Sequence, residues 1–189
     1  MEISYTLIVA LMFITILSFG LAGLLTALAD IINNKNNISV SLVHLCWIII
    51  LLVIHFNMAW HAVLIATIKT WSYDSFIIIV LGPMLAFFAT SIVSPVALGN
   101  DTTATIESNY LDIKQRFFVI FGLIQTWTLC ADFILQRGIT GSGIFNAALL
   151  LLAIFMYKSK KYKHHLYGVI IASALYLVSI VLRSLAVID

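Results

Sequence analysis

Asp132 and Arg183 are the charged side chains whose positions promise chemistry, because both fall inside apolar runs of the sequence. Each closes a polar stripe at helical spacing, with Gln125, Thr128 and Asp132 on one face and Tyr176, Ser179 and Arg183 on another. A charged residue within a bilayer costs ~2.5–3.5 kcal/mol on insertion scales, so pairing is the expected solution. Two readings follow. One is an outward-facing polar layer that binds a small ligand or relays protons. The other is an ion pair that locks two helices together, with Arg183 snorkelling toward water. His55 and His61 lie near the outer end of their own segment and join the candidate layer, while Asp74 stands at its rim.

Other chemistries fit less well. An intramembrane serine protease needs Ser and His side by side at one depth. Here Ser142 opens one segment and His165 opens the next from the opposite side, a membrane thickness away. His44 and His55 are eleven apart and share a helical face, but paired haem ligation needs histidines on a facing helix, and segments one, three, four and five have none. There is no His-Glu-x-x-His, and Glu2 and Glu107, the two glutamates, fall outside the apolar segments. Every lysine lies in a loop or at a segment end, which excludes a retinal-type Schiff base. Cys46 and Cys130 form no CxxC and read as buried free thiols. No cofactor or metal is implied.

The elements that must carry these residues follow from composition. Of 189 residues, 62% are hydrophobic and 10% charged, and the mean hydropathy is +1.11. A soluble domain is about 45–50% apolar and 25% charged. The expectation is an all-α polytopic membrane helix bundle, a single unit of about six transmembrane helices with short loops. The segments are Thr6–Leu28, Ile38–His61, Ser75–Leu98, Phe117–Leu135, Ser142–Tyr157 and Leu166–Val187. The first lacks a positive n-region and a cleavage site, so it reads as a retained helix. The fifth is the shortest. The longest loop runs from Gly99 to Arg116, and Gly82-Pro83 should kink the third helix and free a carbonyl.

Orientation follows from the basic residues. Lys35, Lys114, Arg116, Lys158, Lys160, Lys161 and Lys163 fall on one side, against Lys69, Arg137 and Arg183 on the other. The richer side is expected in the cytoplasm, which leaves both termini outside. A net charge of +2 with dispersed basic residues excludes nucleic acid as a partner. Trp60, Trp71 and Tyr73 fit an interfacial belt, whereas Trp47 and Trp127 should pack between helices.

Two stretches carry a resemblance. Trp71-Ser-Tyr-Asp-Ser-Phe76 with Leu81-Gly-Pro83-Met-Leu85 and Ser94-Pro95 is one, and Asn109-Tyr110-Leu-Asp-Ile-Lys-Gln-Arg116-Phe-Phe118 is the other. Together they resemble an uncharacterised family of small multi-pass bacterial inner-membrane proteins. The resemblance covers about a quarter of the chain and implies a bacterial membrane setting, with no assigned activity. It also singles out Tyr110, Lys114 and Arg116 as candidates to contact lipid headgroups or a cytoplasmic partner, beside their plainer role as a positive-inside anchor.

Three functions compete. The first is a non-enzymatic small carrier or sensor with the Asp132 layer as its site. The second is an accessory or assembly subunit that packs against partners or copies of itself. The third, an intramembrane enzyme using His55 or His61 with Asp132, lacks a nucleophile-and-base pair.

Overall fold

The computed structural model describes residues 5–33, 41–65, 68, 71–94, 106–136 and 141–186. Six helices follow in order: α1 (Tyr5–Asn33), α2 (Leu42–Ile65), α3 (Tyr73–Val93), α4 (Ile106–Gln136), α5 (Gly141–Lys158) and α6 (Tyr162–Ala186). Five are long and apolar enough to cross a membrane; α5 is shorter, with 18 residues and a length of ~27 Å at 1.5 Å per residue. The chain is thus a helical membrane bundle.

Helix ends differ from the apolar segments for local reasons. Helix α3 stops at Val93 instead of Leu98, because Ser94 precedes Pro95 and takes an extended conformation with φ −62° and ψ 136°. The proline ring disfavours helical backbone at the residue before it. At the other end, the Ser72 hydroxyl accepts from the Ser75 amide at 3.2 Å and caps the helix. Helix α4 departs most. It begins at Ile106, so the end of the expected long loop is helical. Polar residues from Ser108 to Arg116 end the apolar run but do not oppose a helix. At ~46 Å, α4 exceeds a ~30 Å hydrocarbon core, and its first two turns extend beyond the apolar span Ile113–Phe133.

The helices form a closed circuit: α1 packs on α3, α3 on α4, α4 on α5, α5 on α6, α6 on α2 and α2 on α1. Helix α2 also meets α3 and α4, so it runs through the middle of the bundle. Its Trp47 lies 5.2–5.3 Å from the rings of Phe117, Phe118 and Phe121 on α4. Such aromatic pairs contribute about 0.5–1.5 kcal/mol each. That matters in lipid, where close packing, not release of water, holds helices together.

Two close approaches depend on glycine. A Cβ on Gly82 would stand 2.2 Å from the Trp127 ring, so a bare backbone lets α4 seat its indole on α3. The same indole donates to the Ile78 carbonyl, one turn before Pro83. The third helix continues through Pro83, and the carbonyl that the proline leaves without its helical amide is that of Ile79, the residue after the one Trp127 engages. On α1, a Cβ on Gly20 would stand 2.4 Å from His55 Nε2. Large apolar side chains such as Phe19, Phe56, Phe133, Leu151 and Leu177 are exposed, as lipid contact requires. Cys130 is also exposed and Cys46 half-buried, which corrects the expectation of two buried thiols; both are free.

Candidate functional site

Side-chain bonds define two ends of the bundle. At one end, Thr6 of α1 donates to the Ile68 carbonyl at 2.8 Å, and the Trp71 indole donates to Thr6 Oγ1 at 3.1 Å. Helix α2 reaches this end with His61, and α4 reaches it with Asp132. At the opposite end, His44 Nε2 bonds the Val93 carbonyl at 2.9 Å, and α4 enters beside the α5–α6 link and its lysines. We refer to these as the aspartate end and the lysine end.

At the aspartate end, His61 Nε2 lies 3.9 Å from Asp132 Oδ1. Both are buried, at 5% and 2% exposure, so water does not screen the approach. The other nitrogen of His61 donates to the Asn57 carbonyl one turn back, at 2.8 Å. That bond sets the tautomer: Nδ1 keeps a proton whatever the charge, and Nε2 faces the carboxyl group. A neutral ring would turn a lone pair toward a carboxylate. A protonated ring would turn an N–H donor toward it instead. The 3.9 Å separation exceeds a direct hydrogen bond, which is about 2.7–3.2 Å.

The rest of the expected layer is only partly brought together. Gln125 of α4 donates to the Tyr176 hydroxyl of α6 at 2.9 Å, a bond across the bundle at a deeper level. Thr128 donates back to the Ile124 carbonyl at 2.9 Å, which satisfies its hydroxyl within its own helix. Ser179 is buried. His55 has other neighbours: Nδ1 bonds the Leu51 carbonyl at 2.8 Å, and Nε2 faces Gly20 of α1 without a hydrogen-bond partner among the described residues. Six residues separate His55 from His61, which turns them to different faces of α2. The Arg183 side chain lies outside the described residues, so the proposed meeting of Asp132 with Arg183 does too. Asp74 is exposed at the start of α3.

The lysine end holds a polar cluster that the sequence reading missed. The Tyr110 hydroxyl and His165 Nδ1 are 3.0 Å apart. Burial pushes the Tyr110 hydroxyl above the ordinary tyrosine range, with the nearby Trp47 indole pulling the other way. The phenol therefore keeps its proton and donates to Nδ1. His165 Nε2 then carries the ring proton and donates to the Ser159 carbonyl at 3.2 Å. Lys114 Nζ donates to the same carbonyl. That oxygen follows the last turn of α5, where helix dipoles favour cations. The Ser159 hydroxyl in turn bonds His164 Nδ1 at 2.9 Å.

Tyr110 and Lys114 are thus buried, at 3% and 5% exposure, and bonded inward. This corrects the expectation that they reach a headgroup or a partner; of that trio, Arg116 alone is exposed. The signal was in the spacing. Tyr110, Lys114, Phe117, Phe118 and Phe121 recur at three- and four-residue steps, one buried face of α4.

Among the described residues, no group of three or more His, Cys, Asp or Glu side chains is placed to hold a metal ion. Comparison of the chain with protein-family models, with curated proteins and with solved structures finds no match.

Proposed function

We propose that this chain is a non-enzymatic small carrier or sensor whose working group is the His61–Asp132 pair. The observation that carries the reading is the 3.9 Å approach of a histidine with a fixed tautomer to a carboxyl group, inside a membrane bundle and on different helices. Ionisable groups within a membrane are rare, face the bundle interior and point by default to ion paths or proton relays. Because α2 and α4 each supply one partner, a proton taken up between them alters how the two helices attract. Protonation is thereby coupled to helix position, which is the property a carrier or a sensor needs. The likeness to small bacterial inner-membrane proteins supports a bacterial inner-membrane setting. The excess of lysine and arginine at the lysine end supports a cytoplasmic location for that end, with the aspartate end and both termini outside.

The test is proton uptake by the purified chain in liposomes, followed with a pH-sensitive dye after an acid pulse. Wild-type protein should take up protons that Asp132→Asn and His61→Gln do not, with all three expressed and helical to the same degree. Equal uptake by all three overturns the reading.

A further inference from the structure

The α5–α6 link places Lys158, Lys160, Lys161 and Lys163 within one short stretch, all four exposed. Its backbone is held at several points. The Ser159 amide donates to the Phe155 carbonyl at 3.0 Å, and the His164 amide donates to the Lys161 carbonyl at 3.0 Å. Beneath the link, Lys114 and His165 grip the Ser159 carbonyl, and the Ser159 hydroxyl bonds His164. The lysines therefore fan out from a fixed turn, not a floppy loop, which lowers the ordering cost of binding an anion.

Among the described residues, no carboxylate pairs with any of the four. Lys114 lies beneath them, bonded to the Ser159 carbonyl. Arg116 is exposed one turn or less along α4 from Lys114.

The surroundings decide the occupant. Phe155 and Tyr157 before the link, and Leu166 and Tyr167 after it, are all exposed. Phe155 stacks on His164 with ring centroids 5.8 Å apart. Tyrosines beside lysines at the end of apolar helices mark the headgroup level of a bilayer. A ligand that satisfies both parts carries a phosphate at the lysines and acyl chains along the apolar flank.

We propose that the α5–α6 link is a binding site for anionic phospholipid, with the lysines on the headgroup phosphate and Tyr157 and Tyr167 beside its glycerol region. Clusters of four or more basic residues next to a spanning helix favour anionic lipid by about fivefold per lysine near the surface.

The test is electron paramagnetic resonance of the full-length chain in bilayers that contain spin-labelled phosphatidylglycerol or spin-labelled phosphatidylcholine. Phosphatidylglycerol should show the larger motionally restricted fraction, and the difference should shrink as salt rises. The triple variant K160Q/K161Q/K163Q should lose most of the preference, while K160R/K161R/K163R keeps it. The arginine variant retains the charge that orients the chain, so a loss confined to the glutamine variant reports on the phosphate contact once cysteine-labelling confirms equal insertion. Equal restricted fractions for the two lipids in wild-type protein overturn the proposal. So does a preference that survives in the glutamine variant.

Discussion

The two ends of the bundle use similar residue types in opposite ways. At the lysine end, Tyr110, Lys114, Ser159 and His165 close on one another, with two donors on a single carbonyl and a fixed proton on every nitrogen that needs one. At the aspartate end, His61 and Asp132 approach to 3.9 Å, and on the proposed reading the state of one proton sets whether they attract. The first arrangement has one favourable protonation pattern and resists change. The second, on the proposed reading, exchanges one proton. A buried polar group with every bond made stabilises one conformation, whereas a pair poised between states can report on its surroundings. At the lysine end both His165 and Lys114 close on one backbone carbonyl, whereas at the aspartate end a backbone carbonyl holds one nitrogen of His61 and the other faces the carboxyl group of Asp132.

Breaking the lock should have the largest effect on stability. His165→Ala removes both the acceptor of the buried Tyr110 hydroxyl and one donor to Ser159, and should cost about 2–4 kcal/mol. Thermal unfolding in detergent micelles measures it, and an unchanged midpoint would show that the cluster holds nothing together. Lys114→Met is milder. The Ser159 carbonyl keeps His165 as a donor, and the methionine fills the volume of the stem, so a loss of about 1 kcal/mol is expected in the same measurement. Asp132→Asn should change stability least, by less than about 1 kcal/mol, because the amide fits the same space and keeps an oxygen acceptor there. A variant as destabilised as His165→Ala would move the aspartate end into the class of structural locks and erase the contrast.

Much of this plan was legible in the sequence. Six helices and their alternation follow from hydropathy, and alternation alone brings the end of α2 and the end of α4 to one side. That is why His61 and Asp132, 71 residues apart, were expected in one layer. What hydropathy missed is instructive. The start of α4 carries Tyr110, Asp112, Lys114 and Arg116, which interrupt an apolar run, yet Tyr110 and Lys114 point inward. Apolar length finds the part of a helix that lipid surrounds, while helical spacing finds the part that other helices cover. Here the two do not coincide. The separation of His55 from His61 was readable too, since six residues along a helix reverse much of its face. No local pattern announced the bond between Tyr110 and His165, because its partners meet only after α4, α5 and α6 have packed.

The pair at the aspartate end carries the central claim, and infrared difference spectroscopy on acidification reads it directly. In wild-type protein, a carboxyl band and an imidazole ring band should change together. Asp132→Asn should remove the first and alter the second, and His61→Gln should remove the second and alter the first. If either band titrates unchanged after its partner is replaced, the two groups do not share a proton, and the aspartate end is not a switch.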